Sequence, residues 1–296
     1  MTQPIIAAEP PARAPSSCTT GTVVGQRLRT WRIARRFTQE ALAHEADLSP
    51  RHLSCLEVGK AMPSERMALW LSEALRIPLR DRNALLVVAG IAPRYKRGGA
   101  HRLAGDGPEN VPSSLAPVVT QLIEAMPHPA YVLNGSFDLL QASGPARSLL
   151  APFASLADSG DRRINFVWLF LSPTLREAVV NGDAVARSFL ARLRNDCAAQ
   201  GPFSPLTDIL REVEGQPHVM RALAASPPAE VEPVLPLVLR VPGGETRWLT
   251  LMMSFGSPQD AMVEDLTIEQ LLPADAATRR SVDELRSGWT PARCLR

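Results

Sequence analysis

The side chains able to do chemistry here include five histidines and four cysteines, together with carboxylates and serines, and their spacing argues against catalysis. A serine nucleophile on a strand-to-helix elbow needs glycine on both sides, at GxSxG spacing. Asn134-Gly135-Ser136 lacks the second glycine and reads as a turn. His44, His52, His101, His128 and His218 never fall in the HExxH pattern that puts two imidazoles on one helix face for zinc. His128, between two prolines, reads as a satisfied loop residue. No GxGxxG or GxxxxGK[ST] is present, and Val241-Pro242-Gly243-Gly244 suits a hairpin loop better than a phosphate cradle. Asp260, Glu264 and Asp265 crowd together without a base or nucleophile beside them, so they read as a solvated turn. The expectation is a non-enzyme with no cofactor and no metal.

The guanidinium groups are the other chemistry-bearing set, and they are unevenly placed. From Thr22 to Ala104 there are 15 Lys+Arg against 7 Asp+Glu, a net +8. From Gly105 to Arg296 there are 16 against 22, a net −6, within an overall +2. A basic part joined to an acidic part suggests that one meets a polyanion and the other does not. With 45% hydrophobic and 21% charged residues over 296 positions, the chain suits two globular domains. The longest apolar runs, Phe166 to Leu171 and Val234 to Leu239, fall short of the about 20 residues of a membrane helix. Cys18, Cys55, Cys197 and Cys294 are scattered without CxxC and read as free thiols of a reducing cytoplasm. Residues 1–21, with prolines and one short apolar stretch, read as a disordered tail rather than a signal peptide.

The elements that position the basic residues are short helices. Val24, Leu28, Trp31 and Ile33/Ala34 recur at helical spacing, with Arg29, Arg32, Arg35 and Arg36 as a solvated face. Arg35 and Arg36 are the pair placed nearest a nucleic-acid backbone. Thr38 caps a second helix, Gln39 to Ala46, and Asp47-Leu48 makes a tight turn. Ser49-Pro50 opens a third helix, since a cap hydroxyl before proline at the first helical position is a strong start signal. It stops at Gly59, with Leu53 and Leu56 inward. Pro63-Ser64 opens a fourth helix, and a fifth runs from about Arg80 to Ala89.

The stretch Thr38 to Ala43, then Leu48-Ser49, Leu53 to Glu57 and Gly59-Lys60, resembles the helix-turn-helix of the XRE/Cro/C1 repressor family, over roughly Val24 to Pro93. The resemblance implies an all-α, five-helix, lambda-repressor-like domain, bounded here at 22–94, whose partner is a double-stranded DNA operator. It implies that the helix from Pro50 enters the major groove. Arg51, His52 and Cys55 are then the base-contacting candidates. Arg51 can pair bidentately with guanine O6 and N7. Cys55 offers a small apolar contact to a thymine methyl, or is a packed thiol. Gln39 matches the family's phosphate-contacting glutamine, Lys60 and Arg66 are further phosphate candidates, and Glu57 matches a glutamate read as structural.

Residues 95–111 are basic, then Gly-rich, and read as a linker. Beyond them Leu115 to Met126 is an amphipathic helix. Tyr131 to Leu133 and Phe137 to Leu140 flank Asn134-Gly135 as a hairpin. Helices follow at 146–150, 173–181, 184–199, 205–214 and 219–225. A second hairpin joins Leu235 to Val241 and Thr246 to Ser254, and Leu266 to Leu271 is a last strand. That order gives an α+β domain with an antiparallel sheet.

Tyr131-Val132-Leu133-Asn134, Asn165 to Leu171, Val179-Val180-Asn181, Phe255-Gly256-Ser257-Pro258-Gln259-Asp260 and Ile268 to Asp275 resemble the MmyB-like ligand-binding domain, a PAS-like fold that follows an XRE helix-turn-helix in bacterial regulators. Phe137, Ser143 and Gly182 stand where that family usually has Trp, Asn and an aromatic. The resemblance places the domain at 112–279, leaving 280–296 as a tail. It implies a cavity for a small hydrophobic, fatty-acyl-like molecule. Its lining candidates are Tyr131, Leu133, Phe166, Leu169, Phe170, Phe189, Leu193, Leu251, Met253 and Phe255, with most such residues expected to be ordinary core. Trp168 and Trp248 read as core or interface. The reading is a cytoplasmic, homodimeric transcription regulator without membrane association. The alternative keeps the DNA-binding half and makes the second domain a protein-interaction module with no small ligand.

Overall fold

The computed structural model describes residues 17–95, 111–156, 164–224, 233–241 and 244–287. The linker core, Pro242-Gly243 of the second hairpin, and most of both tails lie outside them. The chain folds as two compact units that divide near Arg94/Tyr95, with Pro78–Arg80 grouped with the second.

The first unit is helical: α1 (Ser17–Ala34), α2 (Gln39–Glu45), α3 (Pro50–Glu57), α4 (Glu65–Ala74) and α5 (Leu79–Val88). Serine and threonine start the short ones. The hydroxyls of Thr38, Ser49 and Ser64 accept from the N–H of Ala41, His52 and Met67 at 3.0, 3.2 and 3.3 Å, satisfying donors that the first turn leaves unpaired. Asp47 takes φ 53° between α2 and α3, so this turn is left-handed without a glycine. Val24, Leu28 and Trp31 of α1 meet Leu42, Ala43, Leu53, Leu56 and Leu71 in one buried cluster.

α1 begins earlier than its apolar spacing indicates, at Ser17 rather than Val24. Its first turns are built for close approach instead of apolar burial. A Cβ on Gly25 would meet the carbonyl oxygens of Leu56 and Glu57 at 2.4 and 2.5 Å, so only glycine lets α1 lie against the end of α3. That end is closed by Gly59 at φ 76°. There the N–H of Lys60 reaches the carbonyl of Cys55 at 2.9 Å, and that of Gly59 reaches Leu56 at 3.1 Å.

The second unit holds α6 (Ala116–Glu124), β1 (Ala130–Leu133), β2 (Leu139–Ala142), α7 (Gly144–Leu150), a 3₁₀ turn (Ala151–Leu156), α8 (Phe166–Leu171), α9 (Pro173–Ala178), α10 (Gly182–Gln200), α11 (Leu206–Glu214), α12 (Pro217–Ala224), β3 (Leu237–Val241), β4 (Gly244–Ser254), α13 (Ala261–Glu264), β5 (Thr267–Pro273) and α14 (Ala276–Ser287). The strands form one five-stranded sheet in the order β2-β1-β5-β4-β3, antiparallel throughout. Alternation sorts the side chains. Tyr131, Leu133, Leu239, Trp248 and Leu271 face the main core with residues of α7 to α12. Val132, Ile268 and Met253 face a smaller cluster with Val119 and Ile123 of α6.

The first hairpin is longer than an Asn-Gly turn. β2 starts at Leu139, and the Asn134 side-chain oxygen accepts from the N–H of Ser136 and Asp138, both at 2.9 Å. Asn165 ties the loop down, donating to the Ser136 carbonyl and to Asp138 Oδ1, both at 2.7 Å, so side-chain amides set this loop. Asn181 does the same for the edge strand β3, donating to Pro236 at 2.7 Å and accepting from the Val238 N–H at 3.1 Å. At the far end, α14 runs through the boundary drawn at 279. Asp275 caps its start by accepting from the Thr278 N–H at 2.7 Å, and Thr278 Oγ1 accepts from the Arg247 N–H at 2.8 Å. The described part of the expected tail is thus helix, with Val282 3% exposed in the core.

Candidate functional site

The first site is the outer face of α3. Leu53, Leu56 and Glu57 are buried. By helical geometry the opposite face carries Arg51, Ser54, Cys55 and Val58, at i, i+3, i+4 and i+7. Arg51 and His52 are exposed, Ser54 and Cys55 half-buried, and Val58 is 55% exposed. His52 lies on the flank of that face. Ser54 and Val58 went unnoticed in the sequence, although the spacing from Arg51 marks them. The face combines a planar guanidinium with small groups, a set that can hydrogen-bond a purine edge and sit against a thymine methyl.

A buried clamp fixes that helix. Arg32 of α1 donates from Nε to Glu57 Oε1 at 2.6 Å and from Nη2 to Glu57 Oε2 at 2.9 Å. Gln39 Nε2, at the start of α2, donates to the same Oε2 at 2.7 Å. The Arg32 and Glu57 side chains are 12% and 2% exposed. Burial pushes the Glu57 carboxyl up. The hydrogen bonds from Arg32 and Gln39 and the charges of Arg32 and Arg29 outweigh it, and hold the carboxyl below its ordinary range. Two arginines read as a solvated face are therefore structural. Arg32 is in the clamp, while Arg35 donates to the carbonyls of Leu75 and Arg76 at 3.1 and 3.2 Å, closing the end of α4. Gln39 spends one amide N–H on Glu57 and keeps the other. Lys60 is exposed just beyond α3. Arg66 is exposed on α4 and stacks its guanidinium on Trp70, 4.3 Å from the ring centre, which leaves its in-plane N–H groups open to a phosphate.

The second site is a cavity of about 300 Å³ between the inner sheet face and α7 to α10. Of the expected lining residues it takes Tyr131, Phe166, Leu169, Phe170 and Phe189. The aromatic wall is ordered: Tyr131 meets Phe166 edge-on at 5.1 Å, and Phe170 stacks on Phe189 at 4.9 Å. Val185, Ser188, Phe189 and Arg192 reach the cavity from α10 at helical spacing. From the sheet come Thr250, Met252, Glu269 and Leu271. The pairing register brings these together, Met252 opposite Glu269, Thr250 opposite Leu271, and Tyr131 opposite Glu269.

Five expected lining residues lie elsewhere. Leu133 and Leu193 are closed core, at 1% and 0% exposure. Leu251 and Met253 are on the wrong face of β4, because the strand alternates and the cavity side is Thr250 and Met252. Leu251 is 43% exposed, while Met253 packs with Phe255 on the α6 cluster. Sequence reading missed the polar group Arg192 and Glu269. Arg192 Nη1 lies 2.5 Å from Glu269 Oε1, and Nε lies 3.4 Å from Asp196 Oδ2. The guanidinium also sits 4.9 Å from the centre of the Phe137 ring. Burial, then the nearby Glu269, hold the Tyr131 hydroxyl protonated, far above its ordinary value. A glutamate in the run Ile268-Glu269-Gln270-Leu271, on a strand otherwise buried, is the signal that marks this group.

A larger recess of about 620 Å³ shares Phe170 and Phe189, but Arg176, Glu177, Asp183, Arg187 and His218 stand on its walls. An apolar guest is matched by the smaller cavity. No group of His, Cys, Asp and Glu among the described residues is placed to hold a metal ion. No helix among them is long and apolar enough to cross a membrane.

Two family models match this chain. A helix-turn-helix family model matches residues 28–81, which contain α2 and α3. The model described as the MmyB-like transcription regulator ligand binding domain matches residues 115–285, more than half of the chain. Comparison with curated proteins gave no match. α3, its clamp and the cavity domain lie within the two matched regions, and the chain belongs to the family of transcription regulators that join a helix-turn-helix to an MmyB-like ligand-binding domain.

Proposed function

We propose that this DNA-binding regulator reads a specific operator as a homodimer and responds to a small apolar ligand held in the 300 Å³ cavity. The observation that carries the DNA half is the outer face of α3, where Arg51 stands exposed one turn from Cys55. Arg51 reads a guanine edge; His52, Cys55, Ser54 and Val58 border it. Lys60, Arg66 and the free amide N–H of Gln39 hold phosphates. Ligand acts by binding one dimer geometry better than another, since equal affinity for both shifts nothing.

Arg51→Ala is expected to cost about 1–3 kcal/mol on the preferred duplex and to relax discrimination at one base pair. Lys60→Ala weakens all duplexes alike and lowers the salt slope by about 0.9. Fluorescence anisotropy on matched and scrambled duplexes at several salt concentrations separates the two. Unchanged affinity of the Arg51 variant on the preferred duplex removes the base-reading role, and a sequence-selective loss in the Lys60 variant removes its phosphate role.

A further inference from the structure

The recess of about 620 Å³ bounded by α8, α9, the start of α10, α11 and α12 is polar where the smaller cavity is apolar. α10 is 19 residues long, and Gly182, Asp183 and Ala184 of its first turn line the recess. Asn181 at its N-cap makes no side-chain cap bond. Its amide is spent on the edge strand, donating to the Pro236 carbonyl and accepting from the Val238 N–H. The first-turn N–H groups of a long helix thus lack the acceptor that a cap supplies, at the positive end of the helix dipole. A Cβ built on Gly182 would meet nothing within 4 Å, so the approach to those N–H groups is open.

His218 of α12 is an independent observation on the same recess. It lines the recess, and its Nε2 is shut off from bulk water with no hydrogen-bond partner among the described residues. Buried polar atoms are normally satisfied. Burial holds the imidazole below its ordinary value, and the charges of Arg176 and Arg221 add to that. The ring is therefore neutral at pH 7.5 and stands in a positive field. With its proton on Nε2, it donates. Arg176 of α9 and Arg187 of α10 bring guanidinium groups to the recess. Glu177 and Asp183 are there too, but both are exposed to water, which screens them. The charges that reach His218 are those of Arg176 and Arg221, not theirs.

We infer that this recess is a second binding site, separate from the apolar cavity, and that it takes a small organic oxyanion, a carboxylate or a phosphate monoester. The oxyanion accepts from His218 Nε2 and from the first-turn N–H groups of α10, a terminus suited to negative charge. The body of the molecule lies along Phe170 and Phe189. Those two rings, stacked at 4.9 Å, line both the recess and the apolar cavity, so the two spaces share a wall. The inference does not rest on the apolar cavity being a ligand site.

Titration calorimetry on the full chain at pH 7.5 decides it, with benzoate, phenyl phosphate, inorganic phosphate, benzamide and benzylammonium as probes. Benzoate or phenyl phosphate is expected to bind at least ten-fold more tightly than the neutral amide and the cation. The imidazole signals of His218, assigned in the ¹H–¹⁵N spectrum by their loss in His218→Gln, are expected to shift on saturation with that anion. Gly182→Phe fills the open approach and is expected to weaken the anion at least ten-fold at unchanged Tm. Anions that bind no tighter than benzamide, benzylammonium as the tightest probe, or no binding by any probe overturns the inference. Inorganic phosphate binding as tightly as phenyl phosphate overturns its organic part. Anion binding that leaves the His218 signals unmoved, or is undiminished in a folded Gly182→Phe chain, puts the anion elsewhere and overturns the site. Where that variant does not fold, the His218 signals of the wild type decide. Each of these outcomes leaves the reading of the apolar cavity untouched.

Discussion

Glu57→Ala is expected to destabilise the helix-turn-helix domain by about 3–5 kcal/mol, the cost of stripping one partner from a buried ion pair. The carboxylate is 2% exposed and takes three hydrogen bonds, two from Arg32 and one from Gln39. Without it, Arg32 keeps only the Phe37 carbonyl at 3.0 Å, and its charge stays in the interior. A domain of this size has about 5–15 kcal/mol in total, so the loss removes much of the folded population. It also frees α3 from α1 and α2, so duplex binding falls with it. Replacing both Arg32 and Glu57 by leucine is expected to recover part of the loss, because no charge is then left unpaired.

The same pair sets a pH dependence. The Glu57 carboxyl is held below its ordinary range, so the unfolded chain takes up its proton first as pH falls. The stabilisation is therefore complete above the unfolded value of about 4.3 and is lost as pH falls through the lower folded value. Urea unfolding between pH 3 and 7 measures both effects. A Glu57→Ala variant within 1 kcal/mol of the wild type would falsify the clamp, and an unchanged acid profile in Glu57→Gln would remove its titration.

Trp248→Ala is expected to cost about 3–5 kcal/mol in the second domain. Its indole is 0% exposed, pairs across the sheet with Leu237 and Pro273, and donates from Nε1 to Thr246 Oγ1 at 2.9 Å. It belongs to the main core cluster, together with Val282 of α14. The truncation leaves a void on the face that also builds the cavity, and removes the donor to the Thr246 hydroxyl, which keeps only its own bond to the Leu239 carbonyl at 3.4 Å. Trp248→Phe loses the hydrogen bond but keeps most of the ring, and is expected to cost about 1–2 kcal/mol. Denaturant unfolding followed by far-UV circular dichroism checks the order. Equal costs for the two variants would place the energy in the hydrogen bond rather than the packing.

What could be read from the sequence follows from how local each signal is. Ser49-Pro50 and Gly59 mark the ends of α3 within two residues of themselves, and Leu53 and Leu56 mark its inner face. The role of Gln39 could not be read that way, because its partner lies 18 residues along on another helix. The true start of α1 is hidden because Gly21 and Gly25 carry no apolar signal; their meaning is the close approach of neighbouring backbone at the end of α3. The aromatic half of the cavity was legible as apolar runs. The β4 half was not, since Leu249, Leu251 and Met253 on one face are as apolar as Trp248, Thr250 and Met252 on the other. Only pairing with β5 settles the parity. α14 was missed because its charged sequence offers Val282 as a lone buried apolar anchor among the residues whose burial is described, the other buried residue being the polar Thr278.

Selection of duplexes from a random-sequence pool by the full-length chain shows whether the protein reads sequence. An enriched motif is expected, repeated as two inverted half-sites about 34–36 Å or a multiple apart between centres, with preference at one base pair of each half-site lost in Arg51→Ala. A pool retained without enrichment, its binding fading equally with salt for every sequence, would contradict it.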